Sequence, residues 1–404
     1  MARIADAVKE TMRDFDLVVF GATGFTGKLV ARYISRATPQ PRWAIAGRNR
    51  TKLDELGLGV PVLVADALDR EAVAALARRT KVVCTTAGPF AKYGSELVAA
   101  CADAGTHYCD LTGEVPWMRR MIDAHHERAR ASGARIVHAS GFDSIPSDLG
   151  TWAVQQEFIA RHGHPATSVT AMFGETSGGF SGGTVASGLE TAAEADHDLG
   201  VRKILSNPYA LDPDPSAPRP RVPDESSIGW DSRLGMFTIP FVMALVNTRV
   251  VRRGHALAGF PWGEDFRYRE VMTTPGTPSG LAMAVGIAGG IGALSVAMKS
   301  PRLRGLIAKR APQPGEGPSA AARERGHWKT RYVAEGNRSR LLYIASDRAD
   351  PGYGSTAKML GEAALCLALD PLSSEPGVTT PSVAMGGHLL DRLRRAGLTF
   401  APAG

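Results

Sequence analysis

Cysteine is scarce in this chain of 404 residues, and its spacing argues against a fold stapled by disulfides. No two of the cysteines form a C-x-x-C pair, so no disulfide framework is indicated. The four are Cys84, Cys101, Cys109 and Cys366. We expect small buried thiols in a reducing compartment. The first residues include several acids and lack an apolar stretch, unlike a signal peptide, so the sequence predicts a cytoplasmic protein.

Several motifs of catalysis and binding are also missing. The chain has no G-x-S-x-G nucleophile elbow and no H-E-x-x-H pair, so we expect neither serine hydrolysis nor a metal site. A formal net charge of +7 favours anionic partners. The basic residues are not interleaved with aromatic residues in one stripe, which argues against nucleic acid. The anionic partners that stay open are NADP, an acidic carrier protein and a membrane surface.

The first third of the chain alternates short apolar runs with helical patterns, which is typical of a doubly wound parallel sheet in an α/β fold. Unbroken apolar runs suit strands that are covered on both faces. We therefore predict a Rossmann domain over residues 1–150. Its expected strands are 16–20, 42–47, 60–64, 81–85, 107–110 and 135–139.

The alternation of strand-like and helical segments ends after Gly150, where the strand-like segments become irregularly spaced. We predict a second α+β domain over residues 151–354, built on a mixed or antiparallel sheet. Its expected strands are 168–174, 249–253, 266–272, 331–335 and 340–346. Residues 355–404 are expected to form a C-terminal helical segment that packs back on the Rossmann domain.

A glycine-rich turn after the first strand predicts a dinucleotide site. It has the pattern Gly21-x-x-Gly24-x-x-Gly27, between an apolar strand and a helix. The three glycines suit a tight turn, close approach of the pyrophosphate and close packing of helix on strand. Free amides at the helix start favour phosphate. The cofactor-binding residues expected here are Gly21, Thr23, Gly24, Phe25, Thr26 and Gly27.

The end of the second strand predicts NADP rather than NAD. An NAD site would place an acid there for the ribose 2′-hydroxyl, whereas this chain has Arg48 and Asn49, with Arg50 and Lys52 nearby. Arg48 as a solvated loop residue is the alternative. Asp66, after the third strand, is placed to meet the adenine, and a plain turn residue is the alternative.

The fourth strand ends in a glycine–proline loop that suits the nicotinamide half of the cofactor, since ligands bind at the carboxyl ends of the strands in open α/β sheets. The residues predicted to line it are Ala87, Gly88, Pro89 and Phe90.

Several motifs together resemble the saccharopine dehydrogenase-like oxidoreductases, and among them the mycobacterial trans-acting enoyl reductases. They are GATGFTG, AGRN, TTAGPFAKYG, CADAGTHYCDLTGE and ASGFDSIPSDLG, and the similarity continues through FSGGTVASG, ERGHW and TPSVAMGGHLL. The resemblance implies NADPH-dependent reduction of a carbon–carbon double bond in a carrier-bound polyketide or fatty acyl thioester, on the way to cell-envelope lipids. The alternatives are a saccharopine reductase-like amino-acid dehydrogenase and a non-catalytic NADP-binding protein associated with lipid.

A reductase of this kind also needs a proton donor, and three clusters offer one. Tyr93 follows the nicotinamide loop, with core packing as its alternative role. Asp110 and Glu114 follow the fifth strand as a proton relay or as turn and cap residues. Asp143 and Ser147 lie where the chain leaves for the second domain, although Ser147 suits a helix cap equally well. The predicted catalytic residues are Tyr93, Asp143 and Ser147.

Three further segments suggest partners. Residues 281–298 are free of charge and rich in glycine and alanine, with a basic flank, so they suit packing within the protein or a homodimer, peripheral contact with the membrane, or a span. The segment Phe180–Thr184 precedes a helix and could bind a phosphate or act as a loop. Arg249, Arg252 and Arg253, on the strand expected there, could meet an acidic carrier protein or form an ordinary charged sheet face.

Overall fold

The computed structural model describes residues 13–176, 182–220, 222–310 and 317–403. Its first sheet has seven strands, all parallel, in the order β13-β6-β5-β4-β1-β2-β3. The strands are β1 (Phe15–Phe20), β2 (Trp43–Gly47), β3 (Val62–Val64), β4 (Thr80–Thr85), β5 (His107–Cys109), β6 (Arg135–Val137) and β13 (Gly377–Thr379). The first six confirm the predicted strands and have the Rossmann order.

Helices cover both faces of this sheet, which is why the central strands are apolar on both sides. All six residues of β1 are buried. The helices between its strands are α1 (Phe25–Ile34), α2 (Arg50–Asp54), α3 (Arg70–Arg78), α4 (Phe90–Tyr93), α5 (Ser95–Ala104) and α6 (Val115–Ser132). Asp69 caps α3, its Oδ1 accepting the amide of Ala72 at 3.1 Å.

The second sheet also has seven strands and is mixed, in the order β14-β12-β11-β7-β10-β9-β8. Only β7 and β10 pair in parallel within it; the other pairs are antiparallel. The strands are β7 (Ser168–Thr176), β8 (Gly229–Asp231), β9 (Met236–Ile239), β10 (Arg267–Pro275), β11 (Trp328–Gly336), β12 (Ser339–Asp347) and β14 (Thr399–Pro402). The fold class predicted from the sequence is therefore confirmed.

The remaining helices follow the first six strands along the chain, and some of them pack on the first half of the molecule. They are α7 (Ile145–His162), α8 (Gly182–His197), α9 (Leu199–Ser206), α10 (Ala244–Leu257), α11 (Pro278–Met298), α12 (Pro301–Arg310), α13 (Ala320–Glu324), α14 (Thr356–Leu369) and α15 (Pro381–Arg395), with a π-helical turn at Pro351–Ser355. One of them, α11, is long and apolar enough to cross a membrane by length and composition, and 6% of its apolar window is buried.

The C-terminal segment joins the two halves. Helix α14 packs on α1, β1, β4 and β5 of the first sheet, while β13 extends that sheet and β14 extends the second. One hydrophobic cluster accordingly contains Leu17 of the first sheet, Tyr332 of the second and Leu360 of α14. The carboxyl ends of β4, β5 and β6 thus lie where the two halves meet.

The strand predicted over residues 249–253 is wrong, because these residues lie within helix α10. Arg249, Arg252 and Arg253 are buried rather than exposed. Arg249 pairs with Asp224 at 2.6 Å, and Arg253 donates to the carbonyl oxygen of Leu211 at 2.5 Å. These guanidinium groups therefore hold the 207–224 connection in place, and a carrier protein has no access to them.

Candidate active site

The glycine turn lies between β1 and α1, at the carboxyl edge of the first sheet. Gly21 has a φ of 78°, a left-handed conformation that is costly for a residue with a Cβ. A Cβ on Gly27 would lie 2.2 Å from the carbonyl oxygen of Gly21, so no side chain fits between turn and helix. Gly24 is the N-cap of α1 and no side chain caps that end. The first amides of α1, from Phe25 onward, are therefore suited to a pyrophosphate.

Arg48, just after the second strand, is the cation predicted to bind the 2′-phosphate. It is exposed, and it makes no ion pair with any residue of the described ranges. Arg50 instead pairs with Asp54 at 3.0 Å, one turn along α2. Asn49 caps α2, its Oδ1 accepting the amide of Lys52 at 3.0 Å. The contact with the cofactor that the sequence predicts for Asn49 would thus compete with the hydrogen bond by which Asn49 caps α2.

A cleft of about 550 Å³ adjoins the glycine turn and carries further positive charge. Its lining has three cations against one acid and consists of Thr23, Gly24, Lys28, Arg32, Lys52, Glu55 and Leu56. Sequence reasoning missed Lys28 and Arg32, because cations one turn apart on a helix are usually just solvated. A dinucleotide with an extra phosphate suits this cleft better than one without it.

Asp66 follows β3 and forms a turn. Its Oδ1 accepts the amide of Leu68 at 2.9 Å. This bond is the structural role that the sequence left as an alternative, and contact of Asp66 with the adenine stays a prediction.

The loop after β4 packs directly on the glycine turn, as expected if the two loops bind the same cofactor. Thr86 donates from its hydroxyl to the carbonyl oxygen of Gly21 at 3.2 Å. A Cβ on Gly21 would lie 3.1 Å from the amide nitrogen of Ala87. The predicted residues Ala87, Gly88, Pro89 and Phe90 therefore continue the same edge of the sheet as the glycine turn.

Glu114 anchors this loop. Its two carboxylate oxygens accept the amides of Phe90 at 2.8 Å and Ala91 at 2.7 Å. The hydroxyl of Ser187 on α8 donates to the same carboxylate at 2.7 Å. With 2% exposure and three donors, Glu114 holds the nicotinamide loop against the second half of the molecule. These contacts favour a positioning role, and a proton relay through Glu114 stays a prediction.

Asp110 has a similar structural role. Its carboxylate is fully buried and accepts from four donors: the hydroxyl of Tyr108 at 2.9 Å, Nδ1 of His138 at 2.8 Å, and the amides of Thr112 and Ala139 at 3.1 Å each. Ala139 has a φ of 55°, an unusual conformation for a residue with a Cβ, and its bond to Asp110 helps to hold it. The carboxylate therefore shapes the turn after β6.

Asp143 differs from both, because its charge is poorly compensated. Burial raises the pKa of its carboxyl to about 7, and the negative charge of Asp110 contributes to the rise. Oδ2 is shielded from solvent and has no hydrogen-bond partner within the described residues. A carboxyl of this kind keeps its proton in a large share of molecules near neutral pH, and can give that proton to a bound substrate.

Aromatic side chains surround the loop that carries Asp143. The ring of Phe142 lies 5.0 Å from that of Trp328 on β11 and 6.3 Å from that of Phe173 on β7, centroid to centroid. Phe173 stacks on Phe241 at 4.4 Å. We call Phe142, Phe173, Phe241 and Trp328 the aromatic wall. Phe173 and Trp328 are buried in the hydrophobic core, so the accessible apolar surface on the second-sheet side comes from Phe142 and Phe241, which are half-buried.

The structure does not bring Ser147 to this loop's polar groups. Ser147 is fully buried on the first turn of α7, beside Glu270. Glu270 accepts from the hydroxyl of Tyr268 at 2.5 Å and from the side-chain Nδ2 of Asn247 at 3.0 Å. Burial raises the pKa of Glu270 to about 7. Ser147 as a catalytic residue stays a prediction, and its position favours a structural role.

Tyr93 lies at the end of the short helix α4, half-buried against the apolar cluster of the first sheet. Lys92 lies over its ring, 5.3 Å from the centroid. These contacts match the packing alternative, so Tyr93 as proton donor also stays a prediction. The predicted anion site at Phe180–Thr184 lies outside the residues whose side chains the structure describes.

Known proteins resemble the chain in sequence and in fold. Residues 17–137 match the saccharopine dehydrogenase NADP binding domain. The chain is 43% identical to Rv2449c of Mycobacterium tuberculosis, which is assigned as a trans-acting enoyl reductase, over 96% of this chain and 98% of that one. It is 38% identical to the trans-acting enoyl reductase of Mycobacterium ulcerans, over 98% and 99%. The L-Glu-forming saccharopine dehydrogenase of Saccharomyces cerevisiae shares the fold, with a TM-score of 0.53 at 13% identity and coverage of 96% and 99%.

Proposed function

Since the chain belongs to the saccharopine dehydrogenase-like family of trans-acting enoyl reductases, and is an NADP(H)-binding oxidoreductase, we propose that it reduces a carbon–carbon double bond in an acyl thioester. The substrate class is a fatty acyl or polyketide chain on a carrier protein, within the synthesis of cell-envelope lipids. A cytoplasmic homodimer that receives its substrate from a separate synthase is the form we expect.

The residues of the first sheet fit the cofactor. The uncapped start of α1 suits the pyrophosphate, and Arg48 with the cleft at Lys28, Arg32 and Lys52 suits the 2′-phosphate. When bound, NADPH supplies a hydride. The chain itself has to orient the acceptor, exclude water and deliver a proton.

The observation that carries the proposal is a protonatable Asp143 beside the aromatic wall. The wall would hold an apolar acyl chain by burying its surface. Hydride addition to the β-carbon of an enoyl thioester leaves negative charge on the α-carbon and the carbonyl oxygen, which needs one proton. Asp143 is a carboxyl that can hold a proton at neutral pH, and we assign it that step.

The test is NADPH oxidation, followed at the absorbance of the reduced nicotinamide, over a panel of 2-enoyl thioesters of increasing chain length. We expect turnover that improves with apolar length, and loss of that dependence in Phe142→Ala. A mixture of an amino acid and a keto acid tests the saccharopine-like alternative. Oxidation of NADPH by that mixture alone would refute the proposal, and binding of NADPH without oxidation by any thioester would favour the non-catalytic alternative.

A further inference from the structure

Helices α11 and α12 form an apolar and basic hairpin over residues 278–310 that stands out from the body of the protein. Most large apolar side chains of α11 are exposed, including Val285 at 55% and Val296 at 65%. Only Gly280 and Ala284 are buried along its 21 residues. A soluble surface rarely carries an apolar patch of this extent unless something covers it.

Both ends of α11 are fastened to the same body. At its start, Thr274 of β10 donates to the carbonyl oxygen of Gly280 at 2.8 Å, and a Cβ on Gly280 would lie 1.9 Å from the carbonyl oxygen of Pro275. Past its end, Arg304 of α12 donates to the carbonyl oxygen of Met298 at 2.6 Å and forms a salt bridge with Asp196 of α8. A helix that crosses a bilayer has its ends on opposite sides, so this attachment is incompatible with a span.

All the charged residues of the hairpin are basic. Residues 278–310 contain no acidic side chain. Lys299, Arg302 and Lys309 are exposed near the end of α11 and along α12, whereas Arg304 is paired with Asp196. Apolar side chains beside exposed cations are the combination that binds an anionic lipid surface. A symmetric contact between two copies would instead bring these cations together.

We propose that the hairpin docks the protein on the surface of an anionic phospholipid bilayer. α11 lies in the interface with its apolar side chains among the acyl chains, and Lys299, Arg302 and Lys309 contact the phosphates. At 1.5 Å per residue the helix is about 31 Å long, so the contact is extended. The docking does not depend on which reaction the protein catalyses.

A single helix, α8, contacts both the hairpin and the residue that anchors the nicotinamide loop. Helix α8 carries Asp196, which holds the hairpin, and also Ser187, which donates to Glu114 behind the loop. Glu194 of the same helix pairs with Arg120 of α6 at 2.6 Å. The helix that anchors the hairpin therefore also supports the residue behind the nicotinamide loop.

Flotation of the full-length protein with vesicles tests the proposal. The probes are phosphatidylcholine vesicles with and without phosphatidylglycerol. We expect binding to the anionic vesicles, weakened by salt. Replacing Lys299, Arg302 and Lys309 together by Gln should lower partitioning roughly 100-fold, since each cation near the surface contributes about a fivefold effect. The double variant Val285→Asp, Val296→Asp should lose binding to both vesicle types.

Matched variants control for charge and apolarity elsewhere. Replacing Arg36, Arg78 and Arg395 by Gln removes the same charge from exposed positions away from the hairpin, and Leu199→Asp alters an equally exposed apolar residue. Both should bind vesicles like wild type. Binding of NADPH, read by quenching of tryptophan fluorescence, shows that each variant is folded, and it is independent of turnover.

Three results would overturn the docking proposal. One is equal partitioning of the hairpin variant and its charge-matched control. Another is binding that survives an alkaline carbonate wash, which indicates a true span. The last is a wild-type dimer in sedimentation that Val285→Asp, Val296→Asp dissociates while vesicles bind nothing, which assigns the hairpin to contact between copies.

Discussion

The substitution Asp143→Asn changes one atom of the side chain, and it should lower the catalytic rate while raising the stability of the fold. The amide has the shape of the protonated carboxyl but cannot give a proton to the enolate that hydride addition leaves. Burial holds the pKa of Asp143 at about 7, against 3.8 for an ordinary aspartate. Removal of general acid catalysis typically costs about 10² to 10⁴ in rate, so we expect kcat to fall by that much while KM for NADPH stays unchanged.

The same substitution should stabilise the fold above neutral pH. The carboxyl of the unfolded chain loses its proton near pH 4 and that of the folded chain near pH 7, so the free energy of unfolding falls as the pH rises between these values. The cost above pH 7 is at most ~4 kcal/mol, at about 1.4 kcal/mol for each tenfold difference in proton affinity. The Asp143→Asn variant should escape this cost because its amide carries no charge.

The assay has two parts. The first is the pH profile of kcat/KM for a 2-enoyl thioester, which should decline above about pH 7 in the wild type because the proton donor is lost. The second is urea unfolding at pH 6 and pH 8, where Asp143→Asn should gain more at the higher pH. Asp370→Asn is the control, since burial of Asp370 is outweighed by the hydrogen bonds and charge of Arg392, which hold the pKa of its carboxyl below the usual value, so this variant should not gain stability at pH 8 relative to pH 6. Wild-type activity in Asp143→Asn, or an unchanged decline with pH, would refute the reasoning.

Four other substitutions, one of them with a matched control, test the cofactor site, its support and the proton donor. Arg48→Ala should raise KM for NADPH by about 10- to 100-fold and leave that for NADH unchanged, because it removes a charge-assisted contact, whereas Arg50→Ala should change neither since Arg50 is paired with Asp54. Gly27→Ala should abolish NADPH binding in a fluorescence titration, because its Cβ would lie 2.2 Å from a backbone oxygen. Glu114→Gln should lower kcat more than it weakens NADPH binding, as it loosens the nicotinamide loop, and an equal loss in both would contradict that role. Tyr93→Phe should retain activity within a few-fold; a loss comparable to that of Asp143→Asn would make Tyr93 the donor.

The first half of the fold is predictable because its signals are local. Apolar strands such as Asp16–Phe20 alternate with helices, and each strand needs only its own residues to be recognised. The glycine turn follows the first of them directly, and Arg48 stands at the expected distance along the chain. The two loops of the cofactor site can therefore be paired from the order of strands and turns along the chain.

The second half resists such prediction because its contacts are distant in sequence. Strand β13 extends the first sheet from residue 377, next to β6 at residue 135. The arginine-rich stretch at 249–253 has strand-like spacing, yet it is helical because its guanidinium groups reach buried carbonyl oxygens of another connection. Glu114 likewise is joined to the second half of the molecule only through Ser187, more than seventy residues away, among the donors to its carboxylate.

The same limit applies to the proton donor. Asp143 could be named from the sequence as one polar residue of the junction loop, but its raised pKa arises from burial and from the nearby charge of Asp110, which come about only in the folded molecule. The aromatic wall likewise combines Phe142, Phe173, Phe241 and Trp328, which are close only in the folded molecule.

Transfer of deuterium tests the central claim most directly. The protein is incubated with NADPH deuterated at C4 of the nicotinamide, on each face in turn, and with a 2-enoyl thioester, and the product is analysed by mass spectrometry and NMR. The account predicts a saturated thioester with one deuterium at the β-carbon from one of the two cofactors, and a solvent proton at the α-carbon. A saturated product that carries no deuterium from either cofactor, or deuterium found only in an amine formed from a keto acid, would contradict it.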